Sequence, residues 1–161
     1  MVRLVPMTNE EFQRFLEHDI REYALERTQA GYWTEQEAME ESRKAHLELL
    51  PEGLLTSDHY LYTIGEATSG EAVGVIWMSA TMNSPRPSGF ILDLEIDEPF
   101  RRKGYAKEAM LELEEIARRM GIQQLGLHVF AHNDGARGLY ERLGYRVASL
   151  NMLKPLDASR A

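Results

Sequence analysis

One stretch, Leu92 to Tyr145, constrains the fold of this chain more than any other. Its first part reads Asp93-Leu94-Glu95-Ile96-Asp97-Glu98-Pro99-Phe100, then Arg101-Arg102-Lys103-Gly104-Tyr105-Ala106, then a long helical pattern. That order is a strand, a basic glycine turn and a helix. Such a turn presents unpaired backbone N–H groups at a helix N-terminus, where the helix dipole favours negative charge. Gly104 lets the backbone approach a ligand closely, and Ala106 leaves the first helical turn uncrowded. Arg101, Arg102 and Lys103 add cations suited to phosphate. On the residues alone, a pyrophosphate cradle and an ordinary solvated turn both remain open. The spacing matches neither the Walker loop nor the dinucleotide fingerprint Gly-x-Gly-x-x-Gly.

Around this stretch the pattern alternates between strands and helices. Val2 to Val5 reads as a short opening strand. Thr8 with Glu11 is a capping box, and Phe12, Phe15, Leu16, Ile20, Tyr23 and Ala24 follow on one helical face. Thr34 with Glu37 repeats the signal for a second helix, which runs to about Leu50 before Pro51. Tyr23, Tyr32 and Trp33 are either core aromatics or a pocket wall. His59 to Gly65 and Val73 to Ala80 read as strands, with Gly74 marking a bulge. Phe90, Leu92, Leu94 and Ile96 alternate with Ile91, Asp93, Glu95 and Asp97, which describes a strand with one apolar face.

The helix after the turn carries Ala106, Ala109, Met110, Leu113, Ile116, Ala117 and Met120 as one stripe, and Gly121 closes it. Leu125 to Phe130 is the next strand. Asn133 N-caps a helix that ends at Gly144, and Tyr145 to Leu153 reads as a last strand. The expectation is a single mixed α/β domain over residues 1–161, in the order β-α-α-β-β-β-α-β-α-β.

Two blocks in this order resemble a known family. Arg101-x-x-Gly104-x-Ala106 resembles the acyl-CoA signature Arg/Gln-x-x-Gly-x-Gly/Ala of the GCN5-related N-acetyltransferases. Asn133-Asp134-Gly135-Ala136-Arg137-Gly138-Leu139-Tyr140-Glu141-Arg142-Leu143-Gly144-Tyr145 resembles the family's Asn-x-x-Ala-x-x-Leu-Tyr-Glu-x-Leu-Gly-Phe. The resemblance is concentrated in residues 90–146. It implies a mostly antiparallel sheet flanked by helices, and transfer of an acetyl group from acetyl-CoA to a primary amine.

The resemblance also implies site residues. Backbone amides from Arg101, Arg102, Lys103, Gly104, Tyr105 and Ala106 would bind the pyrophosphate. The preceding strand would bulge and part from its neighbour, so that the pantetheine arm pairs with the backbone of Leu94 and Ile96. A sheet edge with unpaired N–H and C=O groups suits two amides in this way. Asn133 would contact the same arm. Tyr140 matches the family's tyrosine and would protonate the departing thiolate, because a phenol is protonated at neutral pH.

The base has two candidates. In bacterial members that acetylate ribosomal-protein N-termini, the segment resembling Leu127-His128-Val129 carries a glutamate at the position of His128, and histidine titrates near neutrality. Glu95 is the other, beside the thioester region of the preceding strand. Histone-acetylating relatives place a glutamate where this chain has Phe90, so that version of the mechanism is absent.

Composition narrows the partners. The net charge is −8, and since the turn holds three cations the rest of the chain carries −11. A local basic patch in an acidic chain suits one small anion rather than nucleic acid, which needs an extended basic surface. No apolar run is long enough for a membrane span. The opening residues Met1–Pro6 carry no signal-peptide core, and no cysteine is present, so a cytoplasmic protein without disulfides is expected. His128 and His132 lie four apart at a strand end, a span of ~13 Å, and nothing completes a metal coordination set around them. No metal is expected.

His18, His46 and His59 read as ordinary surface or helix histidines. The acceptor is an amine-bearing small molecule, a peptide N-terminus or a lysine. A homodimer is left open. The alternative from another class is a non-catalytic acyl-CoA sensor or interaction module, and a third reading places ATP at the turn.

Overall fold

The computed structural model describes residues 1–157. The chain divides into two compact units, Met1–His128 and Val129–Ala161. The first contains β1 (Val2–Pro6), α1 (Asn9–Gln29), α2 (Ala38–Leu49), β2 (His59–Glu66), β3 (Ala72–Thr81), β4 (Ser88–Ile96), α3 (Tyr105–Arg119) and β5 (Gln124–Leu127). The second contains α4 (Asp134–Arg142). The five strands form one sheet in the order β1-β2-β3-β4-β5. The first four are antiparallel, and β5 runs parallel to β4. A parallel neighbour needs a crossover, and α3 supplies it.

Local chemistry sets the helix ends. Glu11 N–H donates to Thr8 Oγ1 and Thr8 N–H to Glu11 Oε2, so the expected capping box starts α1. Phe12 and Phe15 then point into a cluster with Met7, Leu50, Leu61 and Trp77. The rings of Phe15 and Trp77 meet edge to face with centroids 6.0 Å apart. At α2 only half of the expected box forms. Thr34 N–H donates to the Glu37 carboxylate, but the helix starts at Ala38, with no side-chain cap from Glu37 at the N-cap.

The amphipathic α3 follows its sequence pattern. Ala109, Met110, Leu113 and Ala117 are buried on its inner face, and the helix packs on β1 and β4. Burying side chains such as Met110 and Leu113 contributes about 1.5–3 kcal/mol each. A Schellman turn ends the helix. Ile122 N–H reaches the Ala117 carbonyl, Gly121 N–H reaches that of Arg118, and Gly121 adopts a φ of +85°.

Two bulges break the sheet's regular pairing. Ile64 faces Gly74 while Gly65 faces Ala72, which leaves Val73 as an extra residue beside Gly74. The second bulge falls in β4. Trp77 faces Asp93 and Met78 faces Ile91, so Leu92 is the extra residue. It shifts the phase of the strand, because an extra residue reverses which faces the side chains take. Ile91 is therefore buried and Phe90 is 43% exposed. The single apolar face expected from Phe90 to Ile96 is interrupted at Leu92.

Two further expectations need correction. β5 ends at Leu127 rather than Phe130. Residues 145–153 form no strand. Val147, Leu150, Met152 and Leu153 are exposed there, and an alternating stretch becomes a strand only where a neighbour takes its backbone hydrogen bonds.

Candidate active site

The register of β3 and β4 determines which edge of β4 is open. Asp97 N–H donates to the Val73 carbonyl at 2.9 Å. That bond makes Val73 and Asp97 a hydrogen-bonded antiparallel pair. By alternation Glu95 and Asp93 also turn their backbone groups toward β3. The backbone groups of Leu94 and Ile96 then face the opposite edge. On that edge β5 pairs only with Ser88 to Ile91. β5 ends at Leu127, opposite Ile91, so no described strand pairs with this edge of β4 beyond the Leu92 bulge. Leu94 and Ile96, which the resemblance implied for the pantetheine arm, turn their backbone groups to this edge, where no described strand pairs with them. Arg101 has already reached one of these groups, since its Nε–H donates to the Ile96 carbonyl at 2.8 Å.

The basic turn follows directly. Arg101 is extended, Arg102 has φ +64° and Gly104 has φ +89° as the N-cap of α3. A Cβ at Gly104 would meet nothing within 4 Å, so its left-handed φ rather than crowding calls for glycine. The first intrahelical bond runs from Glu108 N–H to the Gly104 carbonyl. The N–H groups of Tyr105, Ala106 and Lys107 thus have no acceptor within the helix. Arg101 to Gly104 are exposed to solvent, and Lys103 Nζ lies 5.6 Å from the Phe100 ring centroid.

Glu95 sits next to the open edge, on the strand face turned toward α1. His18 Nε2 of α1 lies 2.8 Å from its Oε2, and an Arg101 guanidinium nitrogen lies 3.7 Å from its Oε1. Asp93 is two residues earlier on the same face. Its Oδ2 is buried without a hydrogen-bond partner. Burial pushes its carboxyl well above the usual range, and the charges of Asp19, Glu95 and Glu26 push the same way against an opposing backbone bond from Leu94. Gly74 supports this strand from β3, because only a residue without a Cβ can lie so close to the Glu95 carbonyl.

The helical pair builds the flank beside Glu95. His46 is buried between two acceptors, with Nε2 2.6 Å from Asp19 Oδ2 and Nδ1 2.8 Å from the Ser42 carbonyl. Burial alone would lower its pKa, but the Asp19 and Ser42 bonds outweigh this and raise it. Tyr23, Tyr32 and Trp33 lie outside the buried cluster around Trp77. They surround the Arg27 guanidinium, whose carbon lies 4.1 Å from the Tyr32 centroid and 5.1 Å from that of Trp33. His59 accepts a hydrogen bond from the Trp77 indole at 3.0 Å.

His128 is exposed and lies just past the end of β5. In the second unit, Asn133 N-caps α4 as expected, its Oδ1 accepting from Ala136 N–H at 3.2 Å. Tyr140 lies on α4 with its ring 6.0 Å from that of Tyr145. Gly144 closes the helix through a second Schellman turn, with Tyr145 N–H on the Tyr140 carbonyl. Among the described residues no group of three or more His, Cys, Asp or Glu side chains is arranged to hold a metal ion. None of the described helices is long and apolar enough to cross a membrane.

Sequence reasoning did not find His18 as a partner of Glu95. The two are 77 residues apart, and no local pattern links a helix histidine to a strand glutamate at that separation.

Comparison with known proteins gives a consistent result. The model of the acetyltransferase (GNAT) family matches residues 12–145. An uncharacterized N-acetyltransferase of Bacillus subtilis strain 168, YycN, is 41% identical over 155 residues, covering 96% of this chain and 99% of that protein. A second from the same organism, YdgE, is 39% identical over 153 residues, covering 95% and 97%. The crystal structure of YycN matches with a TM-score of 0.92 at 40% identity, over 97% of this chain and 99% of that one. A GCN5-related N-acetyltransferase from Ralstonia eutropha JMP134 shares the fold, with a TM-score of 0.67 at 21% identity over 97% and 99% of the two chains.

Proposed function

This chain belongs to the acetyltransferase (GNAT) family, and we propose that it moves an acetyl group from acetyl-CoA to a primary amine by direct attack on the thioester. The observation that carries this reading is the end of β4–β5 pairing at Ile91, on the strand that leads into the glycine-capped N-terminus of α3. The edge at Leu94 suits an extended diamide arm, and the amides of Tyr105 and Ala106, which have no acceptor within the helix, suit a pyrophosphate, whereas the Arg101 N–H is already bonded to the Glu98 carbonyl. Ile96 joins that edge once Arg101 releases its carbonyl. Arg102 and Lys103 lie exposed beside the turn to add charge.

The remaining roles complete the reaction. The ammonium of the acceptor must lose a proton before it attacks, and Glu95 and His128 are the candidate acceptors of that proton. Tyr140 supplies a proton to the departing sulfur, and Asn133 contacts the pantetheine arm. No covalent intermediate on the protein is required, which agrees with a chain lacking cysteine. The acceptor is a small amine, a peptide N-terminus or a lysine side chain. A single acetyltransferase domain over residues 1–161 and a cytoplasmic location belong to the same proposal.

The test is amine-dependent release of CoA thiol from acetyl-CoA, run with a diamine, an amino sugar, a peptide with a free N-terminus and a lysine-containing peptide blocked at its N-terminus. Turnover with at least one acceptor is expected. Binding of acetyl-CoA without turnover on any acceptor class points instead to a sensor.

A further inference from the structure

We infer that His18 is the proton-accepting group of the acceptor site and that Glu95 is the carboxylate that orients it. The inference rests on the acetyltransferase reading above and deepens it. Three observations carry it. The first is the 2.8 Å contact between His18 Nε2 and Glu95 Oε2. The second is that each Glu95 oxygen faces a basic group. Oε2 meets His18, and Oε1 faces the Arg101 guanidinium at 3.7 Å. The third is that His18 Nδ1 bonds to no described residue while the side chain is 44% exposed.

An ionised carboxylate only accepts, so the hydrogen bond places the proton of neutral His18 on Nε2 and leaves the Nδ1 lone pair free. The pair therefore presents a nitrogen base outward and a carboxylate behind it. This arrangement fixes the tautomer of a base and stabilises the imidazolium that it becomes. Glu95 is also one residue from the open backbone of Leu94, so the pair lies beside the edge that would take the acyl donor's arm.

A proton leaves the acceptor's ammonium for His18 Nδ1, and Glu95 offsets the new positive charge. The free amine attacks the thioester carbonyl. The C–N bond forms and the C–S bond breaks, and the surplus proton on nitrogen ends on the departing sulfur. His18 then returns its proton to solvent. The charged groups around it are Glu95 on β4, Arg101 on the turn, and Arg14, Arg21 and Glu22 one turn away on α1. From α2, His46 is held by Asp19.

Two measurements on the full chain test this. Nitrogen NMR of the His18 ring at pH 8 is expected to show the proton on Nε2 and a bare Nδ1. The opposite tautomer overturns the inference whether or not an acceptor has been found. The second measurement is the pH profile of CoA release with the best amine of the panel. His18→Gln is expected to lower kcat/KM by about 10²-fold or more and to remove the rising limb of the profile. Glu95→Gln is expected to slow the reaction while keeping a limb. A merely structural His18 leaves the limb in place, and that outcome overturns the inference. Melting shifts with CoA are read on the same variants. If CoA shifts neither wild type nor variants, the acetyltransferase reading itself has failed. If CoA shifts all of them but the limb survives His18→Gln, only the role of His18 has failed.

Discussion

Gly74 on β3 lies so close to Glu95 on β4 that an added Cβ would sit 2.2 Å from the Glu95 carbonyl oxygen. The contact is with backbone, which cannot rotate away, so a methyl group there must push the strands apart. Gly74→Ala is expected to cost about 1–3 kcal/mol, as overpacking does. At roughly 2–4 °C per kcal/mol for a chain of this size, the melting temperature falls by several degrees. The displaced strand carries Glu95 and the open edge at Leu94, so any CoA-induced shift shrinks as well. An unchanged melting temperature contradicts this account of the β3–β4 contact.

His46 makes stability depend on pH. Its folded pKa is raised above the ordinary 6.5, through the Asp19 and Ser42 bonds that outweigh burial. The stabilisation it brings is fully present below about pH 6.5 and is lost as pH rises through the folded value. His46→Gln leaves Asp19 without its partner, and is expected to cost about 3 kcal/mol at pH 6. The cost narrows at pH 9. Thermal melts of wild type and variant across this range check it, and a pH-independent difference contradicts it.

Asp93 also makes stability fall as pH rises, starting from a lower pH. Burial first, then Asp19, Glu95 and Glu26, hold its folded pKa well above the ordinary carboxylate value. The folded state therefore binds its proton more tightly, and stability falls as pH rises from about 4 through that value. Asp93→Asn removes this cost. The variant is expected to melt higher than wild type at pH 8, and its advantage shrinks toward pH 4. A lower melting temperature than wild type at pH 8 would show that Asp93 is needed as a carboxyl group.

Gly104 tests the turn separately from the rest of the fold. Its φ of +89° with open space around it means that a side chain adds strain without a clash. Gly104→Val is expected to cost about 1–2 kcal/mol of stability and to abolish the CoA-induced melting shift, because the side chain then stands beside the helix N-terminus. Retention of the full shift contradicts a role for this turn in pyrophosphate binding.

Tyr140→Phe removes the phenolic hydroxyl and keeps the ring. It is expected to lower kcat by about 10²-fold while leaving the CoA-induced melting shift unchanged. A variant with wild-type kcat contradicts the acid role.

Much of this architecture can be read from local chemistry. The Thr8–Glu11 box, the stripe of α3 and the glycines at 104, 121 and 144 each mark a helix end or face through bonds made within a few residues. The open edge was legible only through resemblance, because nothing in the alternation of β4 reveals that Leu92 is the extra residue. That bulge depends on β3, which reaches β4 through a loop. The pairs His18–Glu95 and Asp19–His46 join distant segments, and no periodicity encodes them. The strand expected over residues 145–153 failed for a related reason. Alternation describes which faces a strand would have, and the neighbour that would pair with it is a tertiary matter.

The most direct test of the central claim is a melting titration of the full chain with acetyl-CoA, CoA and ATP in parallel. A ligand at ~100 times its dissociation constant stabilises by about 2.7 kcal/mol, a rise of roughly 5–10 °C here. The account predicts that rise with acetyl-CoA and with CoA and none with ATP. No rise with millimolar acetyl-CoA would contradict it.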